Sequence, residues 1–331
     1  MILQGDCFEL IKEQPDNSVD LIITSPPYAD IVNYGKTISI KKPQEYCDWL
    51  LPIFNDINRV LKPSGSFILN INDNCSNGLR NPFIYELIYR SQKETNLKFY
   101  DTYIWHKKTG VPNGSPKRFR NNTEFIFHFV KNQKELKFYM DRVMEPAKET
   151  YKSRLKSPIN NDQEIIDGER IRKKVIWDNY DLVRPDNVFR FKTAGQSRDN
   201  DIRHPAPFHK DLPCYFINLL TDEGDTIIDI FAGIGTTGLC CENRNFIGYE
   251  LNPKYADFAN KRIDGLSETW TINQYDLEDN FIRSWNTITE IENTLGFNSH
   301  NHIEDCLRKG NKTSYGYKWK LENKTDEIKS N

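Results

Sequence analysis

Short apolar runs of strand length alternate, along the first hundred residues, with segments whose apolar side chains recur every three or four positions. Val19-Asp20-Leu21-Ile22-Ile23-Thr24 is one such run, and it stops at Ser25-Pro26-Pro27, because two prolines fix φ and remove the N–H donors that would prolong a ladder. Trp49, Leu50, Ile53, Ile57, Val60 and Leu61 then repeat at helical spacing, Pro63-Ser64-Gly65 marks a turn, and Ser66 to Ile71 reads as the next strand. A second cycle follows, with Phe83, Leu87 and Ile88 on a helix and Tyr100 to Trp105 on a strand. Thr226 to Phe231 is another buried-strand run. It opens into Ala232-Gly233-Ile234-Gly235-Thr236-Thr237-Gly238 and a helix expected from Leu239, before Asn245 to Glu250 forms a strand ending in an acid and Pro253 to Ile263 a helix. This alternation predicts an α/β fold around a doubly wound sheet, whose active loops sit at strand ends.

Composition divides the chain. At 331 residues it exceeds one ordinary domain of about 100–200 residues. Between His106 and Lys210 the periodicity weakens and 23 Lys/Arg face 14 Asp/Glu, whereas from Ser267 onward 8 basic residues face 11 acidic ones. The formal charge of -2 therefore averages unlike regions and excludes any whole-chain argument for a polyanion-binding protein. The basic stretch, with runs such as Pro116-Lys117-Arg118-Phe119-Arg120, is either solvated loop or a surface for a phosphate backbone. Seven cysteines without a CxxC pair signal neither a zinc site nor a disulfide framework and suit a reducing cytosol. Without a basic and apolar leader or a bilayer-length apolar run, the chain is expected to be soluble and intracellular.

Two constellations carry chemistry. A glycine-rich strand-to-helix turn lets backbone N–H groups approach a ligand, and the acid ending the next strand can bind a ribose diol; Asp229 to Thr237 with Glu250 has that form. The loop lacks a Gly-Lys-Ser/Thr ending for a triphosphate, so an adenosine without phosphates fits better. Thr24-Ser25-Pro26-Pro27-Tyr28 is a rigid turn presenting carbonyl oxygens to an amino group, followed by an aromatic face for a planar base, although Pro-Pro also serves simply to end strands.

These residues resemble the S-adenosylmethionine-dependent DNA amino-methyltransferases, which methylate the exocyclic nitrogen of cytosine or adenine. In that family a Ser/Asp/Asn-Pro-Pro-Tyr/Phe motif is catalytic, and Ser25, Pro26, Pro27 and Tyr28 match it. The stretch Asp229, Phe231, Ala232, Gly233, Gly235, Thr236 and Thr237 is similar to the family's cofactor loop, and Glu250 with Asn252 to its ribose-binding strand end. Asp6 after Gly5 matches the aspartate that contacts the cofactor adenine, Thr24 adjoins the cofactor, and His204-Pro205-Ala206-Pro207-Phe208 resembles the segment closing its pocket. The resemblance covers about 1–264, and its order (catalytic motif, basic middle, cofactor loop) is that of the beta class, a circular permutation.

It implies a Rossmann-like mixed sheet with a basic target-recognition region inserted at about 106–203, S-adenosyl-L-methionine as cofactor and no metal. The implied partner is double-stranded DNA, touched by Lys117, Arg118 and Arg120, with a cognate restriction endonuclease in a prokaryotic or phage-type host cytoplasm; oligomeric state stays open. By the same resemblance the target base is flipped out, Tyr28 stacks on it, and Ser25 and the Pro26 carbonyl accept from its amine. Serine at position 25 favours N4 of cytosine over N6 of adenine. A catalytically silent DNA-binding regulator, or an RNA or protein N-methyltransferase, are the rivals. Pro213-Cys214 is similar to the nucleophile of carbon-5 cytosine enzymes, but its apolar helical setting reads as a buried core cysteine.

After a linker at 265–269, residues 270–321 carry a hairpin (Thr271 to Asp276, Asn280 to Trp285), two short helices around Ile288, Ile291 and Leu295 and around Ile303, Cys306 and Leu307, and a closing β element near Trp319. This resembles the modular DNA-binding repeats of homing nucleases, a small helix-turn-helix unit whose base contacts would come from Asn298, Ser299, His300 and Asn301. A packing or dimerisation module is the alternative, and 322–331 form a tail.

Overall fold

The structure, a computed structural model, describes residues 1–27, 43–73, 75–76, 79–107, 117–147, 159–166, 169–175, 181–191, 209–267, 270–285, 291, 294–295, 303, 306–307 and 313–323. In chain order these form Ile2–Gln4 (β1), Cys7–Leu10 (α1), Val19–Thr24 (β2), Pro43–Leu50 (α2), Ile53–Val60 (α3), Leu61–Ile71 (β3), Cys75–Ser76 (β4), Leu79–Arg80 (β5), Phe83–Glu94 (α4) and Lys98–His106 (β6). There follow Thr123–Val130 (β7), Glu145–Pro146 (β8), Ile159–Ile166 (β9), Glu169–Val175 (β10), Leu182–Val183 (β11), Val188–Phe189 (β12), Asp211–Leu220 (α5), Thr226–Asp229 (β13), Asn245–Glu250 (β14) and Pro253–Ser267 (α6). Trp270–Tyr275 (β15), Phe281–Trp285 (β16), Thr313–Ser314 (β17) and Tyr317–Asn323 (β18) complete the set. The chain divides into two units, Met1–Asp257 and Phe258–Asn331.

The first unit is a mixed eight-stranded sheet in the order β1-β14-β13-β2-β3-β7-β6-β12, with β7 antiparallel to both neighbours and the other pairings parallel. Buried strands of a two-sided sheet are apolar throughout, because successive side chains enter opposite cores. β2 does this: Val19 and Ile22 face one cluster, with Phe54, Ile57, Val60 and Leu87 from α3 and α4, while Leu21 and Ile23 face the other, with Leu212, Phe216 and Leu220 from α5. From the central pair β2 and β13 the chain leaves in opposite directions, to β3 and to β14. That reversal opens a crevice at their C-terminal ends, where ligands of such sheets bind.

Several expected elements differ. The helical pattern from Trp49 to Leu61 is two helices meeting at Pro52, which takes helical dihedrals before Ile53 because proline is tolerated at a helix start. The turn at Pro63-Ser64-Gly65 is a bulge within β3: Val19 pairs with Leu61, but Leu21 already pairs with Ser66. No α-helix starts at Leu239. Thr226 pairs with Asn245, so only 238–244 are available for the return, and they form a 3-10 turn over Gly238–Cys240 followed by a further hydrogen-bonded turn. Within the basic middle, β7 lies inside the main sheet and β12 at its edge, while the hairpin of β9 and β10 pairs outside it.

Cys214 and Cys240 are joined by a disulfide, where unpaired cysteines were expected. The sheet's second core brings α5 beside the turn after the glycine loop, a proximity that a sequence separation of 26 does not reveal. Cys214 is thus half-buried and bonded, not a free core thiol.

In the second unit the sheet order is β16-β15-β18-β17, and β15 and β16 form the expected hairpin. Its core is Ile272, Trp285, Ile291, Ile303, Cys306 and Trp319, the three between Trp285 and Trp319 being helical. Helix α6 continues through Ser267, so most of the expected linker at 265–269 is helix.

Candidate active site

The glycine loop is fastened from beneath. Asp229, the last residue of β13, is buried, and its carboxylate accepts from Thr24 Oγ1 at 2.6 Å, from Phe231 N at 3.1 Å and from Thr237 Oγ1. Burial pushes its carboxyl up to about 6, against the opposing pull of those three donors. Glu250, ending β14, accepts from Gly233 N at 2.9 Å and Asn252 N at 2.8 Å, and burial raises its carboxyl above the usual glutamate range. Gly233 and Gly235 have φ of 52° and 77°, a conformation that glycine adopts without strain. Ala232 N bonds to Tyr249 O at 2.9 Å, docking the loop on β14. At Gly248 a Cβ would lie 2.8 Å from Ala232 Cβ and 2.3 Å from Ile2 Cδ1, so only glycine allows this approach.

Thr24 joins this loop to the neighbouring strand end, since its Oγ1 also accepts from Phe231 N at 3.1 Å. The residue before Ser25-Pro26-Pro27 is therefore tied to the glycine loop across 205 positions. Tyr46 of α2, itself buried, donates to Pro27 O at 2.9 Å and packs edge-on against Trp49, whose ring meets Phe231 at 5.9 Å. Tyr46 is absent from the candidates read in sequence; its only signal is a tyrosine on an otherwise apolar helix face.

A second group beside the Pro-Pro turn was also missed. Thr24 pairs with Leu69, so Asn70 to Asp73 continue past the point at which β2 turns away. Asn70 and Asp73 are buried, and Asn70 Oδ1 and Asp73 Oδ2 have no hydrogen-bond partner among the described residues, although Asp73 Oδ1 takes Arg80. Next door, the facing ends of β6 and β7 bring together Lys107 and the buried Glu124 as an ion pair, and leave His106 Nδ1 and Asn122 Oδ1 without a partner in the same sense. Buried polar atoms without partners point to a ligand or water that completes them.

Residues 19–261 match the DNA methylase family of N6 and N4 amino-methyltransferases, over more than half of the chain. The chain belongs to that family. Residues 271–307 match the NUMOD1 domain. The type II methyltransferase M.PvuII of Proteus hauseri is 28% identical over 274 residues, 76% of this chain and 80% of its own, and the DNA adenine methyltransferase YhdJ of Escherichia coli is 28% identical over 270 residues, 80% of this chain and 83% of its own. Among solved structures, the cytosine-N4-specific PvuII DNA methyltransferase has a TM-score of 0.58 at 24% identity, covering 79% of this chain and 85% of its own. A DNA modification methylase of Thermus thermophilus, solved with S-adenosyl-L-methionine, has a TM-score of 0.51 at 22% identity, covering 80% and 93%. These likenesses agree with the mixed α/β fold.

In this DNA methylase the structure gathers Thr24, Ser25, Pro26, Pro27, Asp229, Phe231, Gly233, Thr237 and Glu250 at the C-terminal ends of three adjacent strands. Asp6, expected at the adenine, caps α1 by accepting from Phe8 N at 3.0 Å and remains exposed at the loop after β1. Asn252 Oδ1 accepts from Lys254 N at the start of α6. Thr236 lies buried in the loop with Ala232. Tyr28, His204, Pro205, Asn298, Ser299, His300 and Asn301 lie outside the described residues. Lys117 and Arg120 are exposed and Arg118 is half-buried. No cluster of metal-binding type and no helix long and apolar enough to cross a membrane occurs among the described residues.

Proposed function

We propose that this DNA methyltransferase methylates N4 of cytosine in duplex DNA. The observation that carries the reading is the hydrogen bond from Thr24 to Asp229, which holds an amine-accepting Pro-Pro turn against a nucleoside-type loop.

The residues fit S-adenosyl-L-methionine, the cofactor of the family. Glu250 accepts from the backbone N–H groups of Gly233 and Asn252, and its carboxylate keeps acceptor capacity for a ribose hydroxyl. The loop from Ile230 to Cys241 contains no Lys or Arg that would call for a phosphate. When bound, the cofactor supplies a sulfonium methyl group open to attack by an amine lone pair.

The chain's own residues prepare that amine. Tyr46 holds the carbonyl of Pro27, and, as in the family motif that these residues resemble, the Pro26 carbonyl and the Ser25 hydroxyl accept the two amine hydrogens, drawing the nitrogen toward sp³ geometry. Tyr28 follows in sequence as a stacking face for the flipped base. The proton released passes to water. Serine in place of aspartate at position 25 supports cytosine. The second unit adds DNA contacts, and a cognate restriction endonuclease is the partner that such protection implies.

Transfer of tritiated methyl groups to DNA, RNA and protein in parallel, followed by mapping of the modified base in expressing cells, tests the reading. N4-methylcytosine in DNA is expected. N6-methyladenine alone would replace cytosine by adenine in the same site, as the name of one relative suggests, and labelling of RNA or protein but not DNA would overturn it.

A further inference from the structure

Phe119 is 99% exposed. Large apolar rings are normally withdrawn from water, yet this one stands in Lys117-Arg118-Phe119-Arg120, of which Lys117 and Arg120 are exposed. Its place in the fold gives the exposure meaning. Thr123, four residues on, opens β7, and its carbonyl accepts from Asn72 Nδ2 at 2.9 Å, so the segment enters the sheet at the end of β3 that adjoins Ser25 to Pro27. β7 lies two strands from β2, about 10 Å at ordinary strand spacing. That offset is comparable with the width of a DNA major groove, about 12 Å.

We propose that Phe119 enters the base stack beside the target nucleotide and fills the space left as the base swings into the site, while Lys117, Arg118 and Arg120 hold the flanking phosphates. The inference rests on the reading of the protein as a duplex DNA methyltransferase. Cations on phosphates position a protein without choosing a sequence. An apolar ring among them adds what they lack, since stacking a base on an aromatic side chain stabilises by about 1–3 kcal/mol. Opening a base step costs a few kcal/mol, so the ring offsets a substantial part of the flipping penalty.

The test uses the full chain and a duplex carrying the site it methylates, compared with the same duplex in which the target base faces an abasic position. Removing the pairing partner makes extrusion easy with or without a wedge. Phe119→Ala is expected to slow methyl transfer on the paired duplex by about tenfold, equivalent to about 1.4 kcal/mol, and to recover on the abasic duplex. S-adenosylmethionine affinity should not change, which also reports that the variant is folded. Phe119→Trp should keep the activity and lose fluorescence on binding the paired duplex, as a stacked indole does. Wild-type rates for Phe119→Ala on the paired duplex, or an equal loss on both duplexes, would overturn the proposal; so would a changed oligomeric state with an unchanged ratio between duplexes. Absence of transfer by the wild type to any DNA would fall on the proposed function instead.

Discussion

Tyr46 bonds the Pro27 carbonyl, and on the proposed reading this favours the Pro26 carbonyl as the acceptor for the substrate amine. Tyr46→Phe keeps the ring contacts with Trp49 and Phe83 and removes one hydrogen bond, with a net value of about 1 kcal/mol. Steady-state kinetics should show methyl transfer falling by about fivefold to tenfold while S-adenosylmethionine affinity is retained; equal losses in both would remove Tyr46 from a positioning role. Two buried groups predict opposite pH dependences. Burial raises Asp229 from 3.8 to about 6, so the folded state holds its proton longer and this residue's contribution to stability falls as pH rises between those values. Burial lowers His128 from 6.5 to about 3, where it lies between Tyr103 and Ser66, so its contribution rises with pH over that interval. The slopes oppose each other between about pH 4 and 6. Denaturant titrations should therefore show a steeper rise of stability with pH in Asp229→Asn and a weaker rise in His128→Gln than in the wild type.

At the scale of elements, the glycine loop and β14 behave as one packed piece. Gly248→Ala would drive a methyl group into Ala232 and Ile2, which overpacking places at a cost of about 1–3 kcal/mol. Because Ala232 is the loop's docking point, cofactor affinity by calorimetry should drop together with thermal stability. The strands that carry the site were legible because they are buried on both faces, and a run such as Leu21-Ile22-Ile23 leaves few other readings. The helix expected from Leu239 was not, since the length available is set by Asn245 pairing with Thr226 and not by local propensity. β7 was hidden by charge: Thr123 to Val130 lies among the basic residues of the middle region, where the apolar periodicity weakens. Asn70, Asp73 and Asn122 carry no motif at all, and they become candidates only when three strand ends meet.

For the whole molecule, two units match two families along one chain. Ending the chain after Ser267 keeps α6 whole and removes β15 to β18. Fluorescence anisotropy should then show weaker DNA binding with unchanged S-adenosylmethionine affinity; equal DNA binding would leave the second unit a packing role. The bond between Thr24 and Asp229 has a further consequence, for the order of events in synthesis. Contacts so distant along the chain form late, because the intervening loop must close first. Until β13 has left the ribosome, β2 lacks its partner on one side and exposes an apolar edge of the kind that invites mispairing. A nascent chain therefore carries the Ser25-Pro26-Pro27 turn long before the loop after β13 exists to be tied to it, and the site is assembled only once β13 and β14 have been made.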